Sequence, residues 1–455
     1  MQLTASLKDV IDTDINAMFE GGLWHVIDVD GHDFEAMEKA LEEAHQVKGK
    51  PVVIVGHTIM GHGVEFMAQE GREHKATWHG KTADKEKSDE LLSSEELTLS
   101  EEEKSLLENF RSQVEWKPIP SKYPKQLSKL DIDTGEAIEY AADKVTDCRS
   151  AYGNALLDLA KRNSQVIALT ADLKGSVKTD GVADNLPEQY IECGIMEQHM
   201  VSAAGAFSLD GYVPFASTFG AFMSSRAKDQ ARVNDINYCN VKMVSTHCGL
   251  SVGEDGPTHQ AIDDMGSFLG MFNTHVIEPA DPNQTDRIIR YVASHYGNFY
   301  VRMGRHKFPN ITKEDGSLFY DKDYVYEYGK SDVIREGSDI TIAASGAMIY
   351  ETLQALENIN ASVEVVAVSS IKKFDETLEK SVQKTGKLIT IEDHNTLSGL
   401  GGQVARHLSE KGLMPEKFAM FGVEEYQLSG PANELYDEAG ISSQKIAERV
   451  NSFLN

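Results

Sequence analysis

The chain has 455 residues, 41% of them hydrophobic, which is enough for about three domains of ordinary size, each with its own core. Its 72 acidic residues outnumber 44 basic ones for a formal charge of −28, so most of its surface would repel a phosphate backbone and no nucleic-acid partner is expected. No window is apolar for long enough to cross a bilayer, and Met1 to Val10 has no basic stretch followed by an apolar run; the expectation is a soluble, cytoplasmic protein with no membrane partner.

In chain order, apolar residues recur at helical spacing from His32 to Val47, and the β-rich run Val52-Val53-Ile54-Val55 comes next, an order typical of layered α/β domains. This block is too short to be a whole domain of that kind. After Trp78-His79-Gly80, the stretch from Asp84 to Glu108 is rich in acids and poor in apolar residues, which predicts an exposed helix or a mobile excursion. Ser100 and Glu103 have the spacing of a capping box, and Pro118, Pro120 and Pro124 mark a linker. The boundaries read from these shifts are residues 1–115, a linker at 116–147, and further domains at 148–312 and 325–455.

From Cys148 to Asn310, predicted helices alternate with short apolar runs at Val166–Leu169, Val213–Phe215, Val241–Val244 and His275–Ile277. Such alternation predicts a mainly parallel sheet whose ligand crevice lies at the carboxyl ends of its strands. The third block repeats the pattern at Ile340–Ile342, Val363–Val366 and Leu388–Ile391. It shows fewer polar residues at strand ends, so a structural or assembly role is expected for it. The fold class is therefore α/β, in consecutive layered domains with mainly parallel sheets. Cys148, Cys193, Cys239 and Cys248 form no Cys-x-x-Cys pair, which points to free thiols in a reducing compartment.

Chemistry concentrates in two segments of the second block. The loop Thr246-His247-Cys248-Gly249-Leu250-Ser251-Val252-Gly253-Glu254-Asp255-Gly256-Pro257-Thr258-His259-Gln260 comes after a predicted strand and is rich in glycine. Its histidines and acids match no usual metal-ligand spacing, whereas imidazoles and a carboxylate suit the hydroxyls and phosphate of a sugar. The other segment is Gly194-Ile195-Met196-Glu197-Gln198-His199-Met200, ahead of the small-residue run Ala203-Ala204-Gly205-Ala206. A glutamate opening so apolar a helix must either pair or hold a proton; an acid that merely complements the helix dipole explains it equally well on local grounds.

Read together, Gly194 to His199, then Ser217-Thr218-Phe219-Gly220-Ala221-Phe222, then Val252 to Gln260 resemble in order and spacing the pyrimidine-binding domain of thiamine-diphosphate-dependent transketolases. The resemblance continues through Arg302-Met303-Gly304-Arg305, Glu392-Asp393-His394-Asn395-Thr396 and Gly399-Leu400-Gly401-Gly402, and so covers nearly the whole chain. It implies a diphosphate-binding domain at 1–115, a pyrimidine-binding domain at 148–312 and a transketolase C-terminal domain at 325–455. It also implies transfer of a two-carbon ketol unit from a ketose phosphate to an aldose phosphate in the pentose phosphate pathway, by a homodimer. Glu197 would activate the cofactor through its pyrimidine ring, from an apolar pocket that keeps the carboxyl partly protonated, and Phe219 and Phe222 would stack on or flank that ring. Asp172 would lie near the cofactor. His79 would face both diphosphate and substrate, and His259 would join it in catalysis. Arg149, Ser176, His247 and Arg305 match the positions that bind the distal phosphate, and Asp255 and His259 those that read sugar hydroxyls.

The family's divalent cation, Mg²⁺ in the usual case, is held by a Gly-Asp-Gly segment and an Asn pair, and neither occurs in this sequence. Gln2-Leu3 and Trp24 to Asp33 align with the family's segment on the carboxyl side of that Asn pair, so the expectation is a first domain truncated at its amino-terminal part, with no metal ligands of its own. Three readings are then open: an enzyme completed by a separate chain that supplies the amino-terminal diphosphate-binding part, a shortened enzyme, or a catalytically silent assembly or regulatory fragment. A deoxyxylulose-phosphate synthase shares the Glu197 region but differs in the loop Gly256 to Gln260.

Overall fold

The computed structural model describes residues 4–94, 98–114 and 124–455; Gln2, Leu3, Pro118 and Pro120, on which two of the sequence readings rest, lie outside these ranges. The chain divides into two compact units, Met1–Ile119 and Pro120–Asn455.

In the first unit, β1 (His25–Asp30) pairs in parallel with β2 (Val52–His57), in register from His25 opposite Val52 to Asp30 opposite His57. The connecting helix Phe34–Gln46 starts where the Asp33 side chain accepts the N–H of Ala36, satisfying a donor left open at the helix end. Its Ala40 packs with Ile27 and Val29 into a small core. The acidic stretch forms two helices, Lys85–Leu92 and Glu101–Gln113, neither with a buried residue, and the Ser100–Glu103 capping box is present in both directions.

The second unit holds two sheets. One runs in the order β4 (Tyr190–Glu192), β3 (Val166–Thr170), β5 (Val213–Phe219), β6 (Lys242–Thr246), β8 (Asn298–Arg302), β7 (Thr274–Ile277), with every pairing parallel. The other runs β13 (Lys417–Val423), β12 (Lys387–Asn395), β10 (Ile340–Ala344), β11 (Val363–Ala367), β9 (Asp332–Arg335), parallel except for β9. Both are α/β layers, as expected. Strands β4, β8, β9 and β13 escaped the sequence reading. In β8, Asn298, Tyr300 and Arg302 are as buried as Phe299 and Val301, so polar side chains with internal partners broke the apolar signal.

The segment from Gln126 to Tyr140 is tied to the helix Pro282–Ala293 and the turn at its end: Leu127 and Leu130 donate to Tyr296 O and Ser294 O, and Ile138 and Tyr140 donate to the side chains of Asp286 and Asn283.

The third block departs from expectation. The carboxyl end of β12 carries Glu392, Asp393 and His394, all buried. These residues face Arg302, whose Nε donates to Asp264 at 2.9 Å and whose other nitrogens reach Glu278, Ala261 O and Asp393 O. Tyr300 donates to Asp264 at 2.6 Å and Ser345 to Glu278 at 2.5 Å. A buried charge needs such a complete set of partners, and this network joins the two sheets of the second unit.

Candidate active site

β3 leads to β4 on one side and β5 on the other, a reversal of strand order that opens a crevice at the carboxyl ends of the strands. Nearly all the predicted second-unit residues leave the sheet at that edge. Asp172 lies just past β3, Glu197 past β4, Phe219 ends β5 with Phe222 one turn on, His247 lies just past β6, and Arg305 past β8.

Glu197 is the first residue of the helix Glu197–Leu209 and is buried. The expected apolar pocket around its carboxyl is corrected by the structure: Arg226 Nη1 donates to Glu197 Oε1 at 2.7 Å. Of the two outcomes open to a buried glutamate, pairing is the one realised. The same guanidinium lies 4.0 Å from the centroid of the Phe222 ring, within cation–π range. Arg226 was missed because a lone arginine in a helical stretch reads as a solvated face.

Phe219 and Phe222 stack at 5.5 Å between centroids, and His247 stacks on Phe219 at 3.9 Å. His259 meets Phe222 edge-on at 5.2 Å and Phe219 at 6.2 Å, and its Nδ1 lies 2.9 Å from Thr258 Oγ1. Two phenyl rings and two imidazoles thus form one cluster.

His247 also belongs to a cluster of cations. Arg149 Nη1 lies 3.2 Å from His247 Nε2. A guanidinium can only donate, so Nε2 accepts and the ring proton sits on Nδ1, 2.8 Å from Thr246 Oγ1. Burial, together with Arg149 and Arg305 nearby, pushes the imidazole down to about 3, which keeps it neutral. Its φ of +57° turns the chain sharply after β6. Arg149, on the helix Cys148–Arg162, also donates to the carbonyls of Ser176 at 3.2 Å and Arg305 at 3.3 Å. Ser176 thus engages Arg149 through its main chain. Asp147 stands 3.4 Å from Arg149 Nε.

Arg305 holds the neighbouring loop. Its main-chain N–H donates to Ser251 Oγ at 2.9 Å and its Nη1 to Val252 O at 2.8 Å, with Glu254 at 3.6 Å and Asp255 at 4.0 Å. Asp255 is exposed. The loop contains a 3₁₀ segment, Leu250–Asp255, between Gly249 at φ +73° and Gly256 at φ +75°. The third block braces it: Asp393 Oδ1 accepts the Leu250 N–H at 2.9 Å, Ser429 Oγ donates to Glu254 O at 2.6 Å, and Gln260 Nε2 donates to Leu428 O at 3.2 Å. These brace residues were not singled out as site residues; the strand-end position of Asp393 was the available signal.

Asp172 is exposed with φ +59°, and its N–H donates to Glu192 Oε1 at 2.7 Å. The structure does not bring its carboxylate into the aromatic or cation cluster. His79 lies in the first unit, where it is exposed and its N–H closes a turn onto Ala76 O at 3.1 Å. Among the described residues no group of three or more His, Cys, Asp and Glu side chains is placed to hold a metal ion, and no helix is long and apolar enough to cross a membrane. All four cysteines are free and buried.

Residues 144–310 match the transketolase pyrimidine binding domain, residues 329–446 the transketolase C-terminal domain, and residues 2–123 the transketolase thiamine diphosphate binding domain. The match over 2–123 does not bear out the expectation that the amino-terminal part of that domain is lacking. Transketolase-like protein 1 of Bos taurus is 32% identical over 440 residues, covering 95% of this chain and 69% of the relative. Transketolase-like protein 2 of Homo sapiens is 32% identical over 94% of this chain. The chain spans about two thirds of the length of these relatives, 69% and 65%. A solved structure described as a split gene transketolase, inactive β4 tetramer, shares 33% identity with a TM-score of 0.59, over 68% of this chain and 99% of its own. Transketolase from Campylobacter jejuni has the same fold, with a TM-score of 0.69 at 22% identity over 98% of this chain and 70% of its own. Three matched domains and relatives of this similarity, carried on a site of this geometry, establish that the chain belongs to the transketolase family.

Proposed function

We propose that the protein transfers a two-carbon ketol unit from a ketose phosphate to an aldose phosphate on thiamine diphosphate. The observation that carries this reading is His247, whose ring stacks on Phe219 and accepts from Arg149. One imidazole thereby joins an aromatic surface suited to a pyrimidine with a cation cluster suited to a phosphate.

The pyrimidine half of the cofactor fits the residues present: a buried carboxylate beside stacked phenyl rings suits a flat heterocycle with a ring nitrogen. Bound thiamine diphosphate supplies the carbon nucleophile and the electron sink for cleavage between the second and third carbons of the ketose. Glu197 hydrogen-bonds a pyrimidine ring nitrogen and exchanges a proton at that atom, as a positioned general acid–base. Phe219 and Phe222 hold the ring face and exclude water. Arg149 and Arg305 bind the distal phosphate through charge-assisted hydrogen bonds, with neutral His247 and Ser176 beside them. Asp255 and His259 orient the sugar hydroxyls, Asp172 borders the cofactor, and His79 serves the diphosphate and substrate. Among the described residues no group of three or more His, Cys, Asp and Glu side chains could hold the family's divalent cation, so no step is assigned to a metal on this chain.

Activity on this reading belongs to an assembly, a homodimer or a complex with a separate chain that brings the metal ligands. The structure described as a split gene transketolase is also described as inactive in its β4 tetramer, which supports a need for partner chains. We place the protein in the cytoplasm and its reaction in sugar-phosphate interconversion. The test is calorimetric titration of the full chain with thiamine diphosphate and Mg²⁺, then a ketol-transfer assay, each repeated with any complementing chain. Saturable binding and transfer in one of these assemblies is expected; no binding at millimolar cofactor in any of them sinks the proposal.

A further inference from the structure

Arg226 makes two contacts that the proposed function needs for something else. Its guanidinium occupies the carboxylate of Glu197 at 2.7 Å and the face of Phe222 at 4.0 Å. Those are the hydrogen-bond acceptor and a ring surface that the pyrimidine would use. A planar, delocalised cation imitates a flat heterocycle well in both respects, because it donates in its own plane and stacks through its face. The two ends of this contact differ in exposure. The Glu197 side chain is 4% exposed and fixed at the start of its helix, whereas the Arg226 side chain is 45% exposed. Arg226 itself caps the short helix Gly220–Ser225, so its side chain can turn outward without moving β5 or the Glu197 helix.

Resting on the reading of this site as a thiamine diphosphate site, we infer that Arg226 is a latch across the pyrimidine slot, which must swing out for the cofactor to enter. The latch keeps the buried Glu197 carboxylate paired, which removes the cost of an orphaned buried charge. It also weakens binding, since apparent affinity falls in proportion to the fraction of molecules in the open state. Arg226 is a positioning residue in this scheme, acting through Glu197 and Phe222.

The experiment is a double-mutant cycle on the full chain, with Mg²⁺ and any complementing chain present, using Arg226→Ala, Glu197→Gln and the double variant. The readouts are thiamine diphosphate affinity by calorimetry and the midpoint of thermal unfolding with and without cofactor. For a latch closed about nine-tenths of the time, Arg226→Ala binds thiamine diphosphate roughly tenfold more tightly. Its unfolding midpoint drops without cofactor and recovers at saturation. Arg226→Lys, which keeps the charge but not the plane, falls between. In the Glu197→Gln background the arginine substitution yields a much smaller gain, because the anchor of the latch is already gone. A residue that only stabilises the fold would lower the midpoint with and without cofactor and leave affinity unchanged. Equal or weaker binding by Arg226→Ala, with the wild-type chain binding normally, overturns the latch and leaves the functional reading standing. Absence of binding by both chains overturns both.

Discussion

The ring of Phe219 lies nearly parallel to that of His247, 3.9 Å between centroids with an interplanar angle of 28°. Phe219 is also almost fully buried, so it is at once a wall of the crevice and part of the core. Phe219→Ala is expected to cost about 3–5 kcal/mol of stability and to weaken cofactor binding, whereas Phe219→Leu recovers most of the stability without the affinity. Urea unfolding and calorimetry on both variants check this; a leucine variant with full cofactor affinity would count against the stacking role.

Arg149 donates in three directions, to His247, Ser176 O and Arg305 O. Lysine keeps the charge and loses the fork. Losing one charge-assisted hydrogen bond of about 1.5–3 kcal/mol predicts a KM for the sugar phosphate raised roughly 10- to 100-fold in Arg149→Lys, with kcat changed much less. Steady-state kinetics on phosphorylated and unphosphorylated ketoses distinguish the cases, since the handicap should vanish on the substrate without phosphate.

Glu197→Ala removes the proton-exchanging group while leaving Phe219 and Phe222 in place. A loss of about 10²–10⁴ in kcat is expected, the usual worth of a positioned general acid–base. A variant whose turnover survives within a few-fold of wild type cannot use the proposed relay.

Arg302 pairs with Asp264 and Glu278 in full burial. Its replacement by methionine leaves two buried carboxylates without their cation, and a loss of about 3–5 kcal/mol is expected. Denaturant unfolding measures it, and a variant as stable as wild type would refute the network's role in joining the two sheets.

Glu392 gives a pH dependence. Burial raises its carboxyl from an ordinary 4.5 to about 8, even though the Leu400 and Gly401 N–H groups donate to it. Between those values the folded chain binds more protons than the unfolded one, so the stability from this group is full below 4.5 and is lost as pH rises through about 8. Glu392→Gln, which cannot ionise, should therefore lose unfolding midpoint less steeply than wild type between about pH 5 and 8.5. At the acid end of that range it starts lower by about 1–3 kcal/mol for an amide hydrogen bond left unmade. Parallel slopes in circular-dichroism melts would refute the assignment.

Strands such as β3, β6 and β11 were legible because Val166–Leu169 is apolar throughout, and Val241–Val244 and Val363–Val366 keep three apolar residues around a single charged one, Lys242 and Glu364. β8 was not, because the partners of Arg302, namely Asp264, Glu278 and the carbonyl of Asp393, lie 38, 24 and 91 residues away. The site was legible as a set of motifs. Glu197, Phe219, His247 and Arg305 each stand at the end of a strand or the start of a helix, where the layered fold predicts a crevice. Pairing could not be read in the same way. Arg226 lies 29 residues from Glu197, and only the course of β5 brings the two together. The role of the third block was misjudged for the same reason: its polar residues are buried against the second block, and composition alone does not say what a strand end faces.

The contact of Asp393 with the loop has a further consequence. Gly249 sits at φ +73°, and a Cβ placed there would come within 2.1 Å of the Asp393 carboxylate. The loop from Thr246 to Gln260 is therefore shaped on both sides of a boundary between separately matched domains. Recombining this pyrimidine-binding domain with another family member's C-terminal domain transfers the loop but not its mould. A chimera retains the loop's conformation only if the incoming domain presents a carboxylate where Asp393 stands and leaves room for glycine alone. Exchange between relatives is thus constrained at residues remote in sequence from any that would touch the sugar.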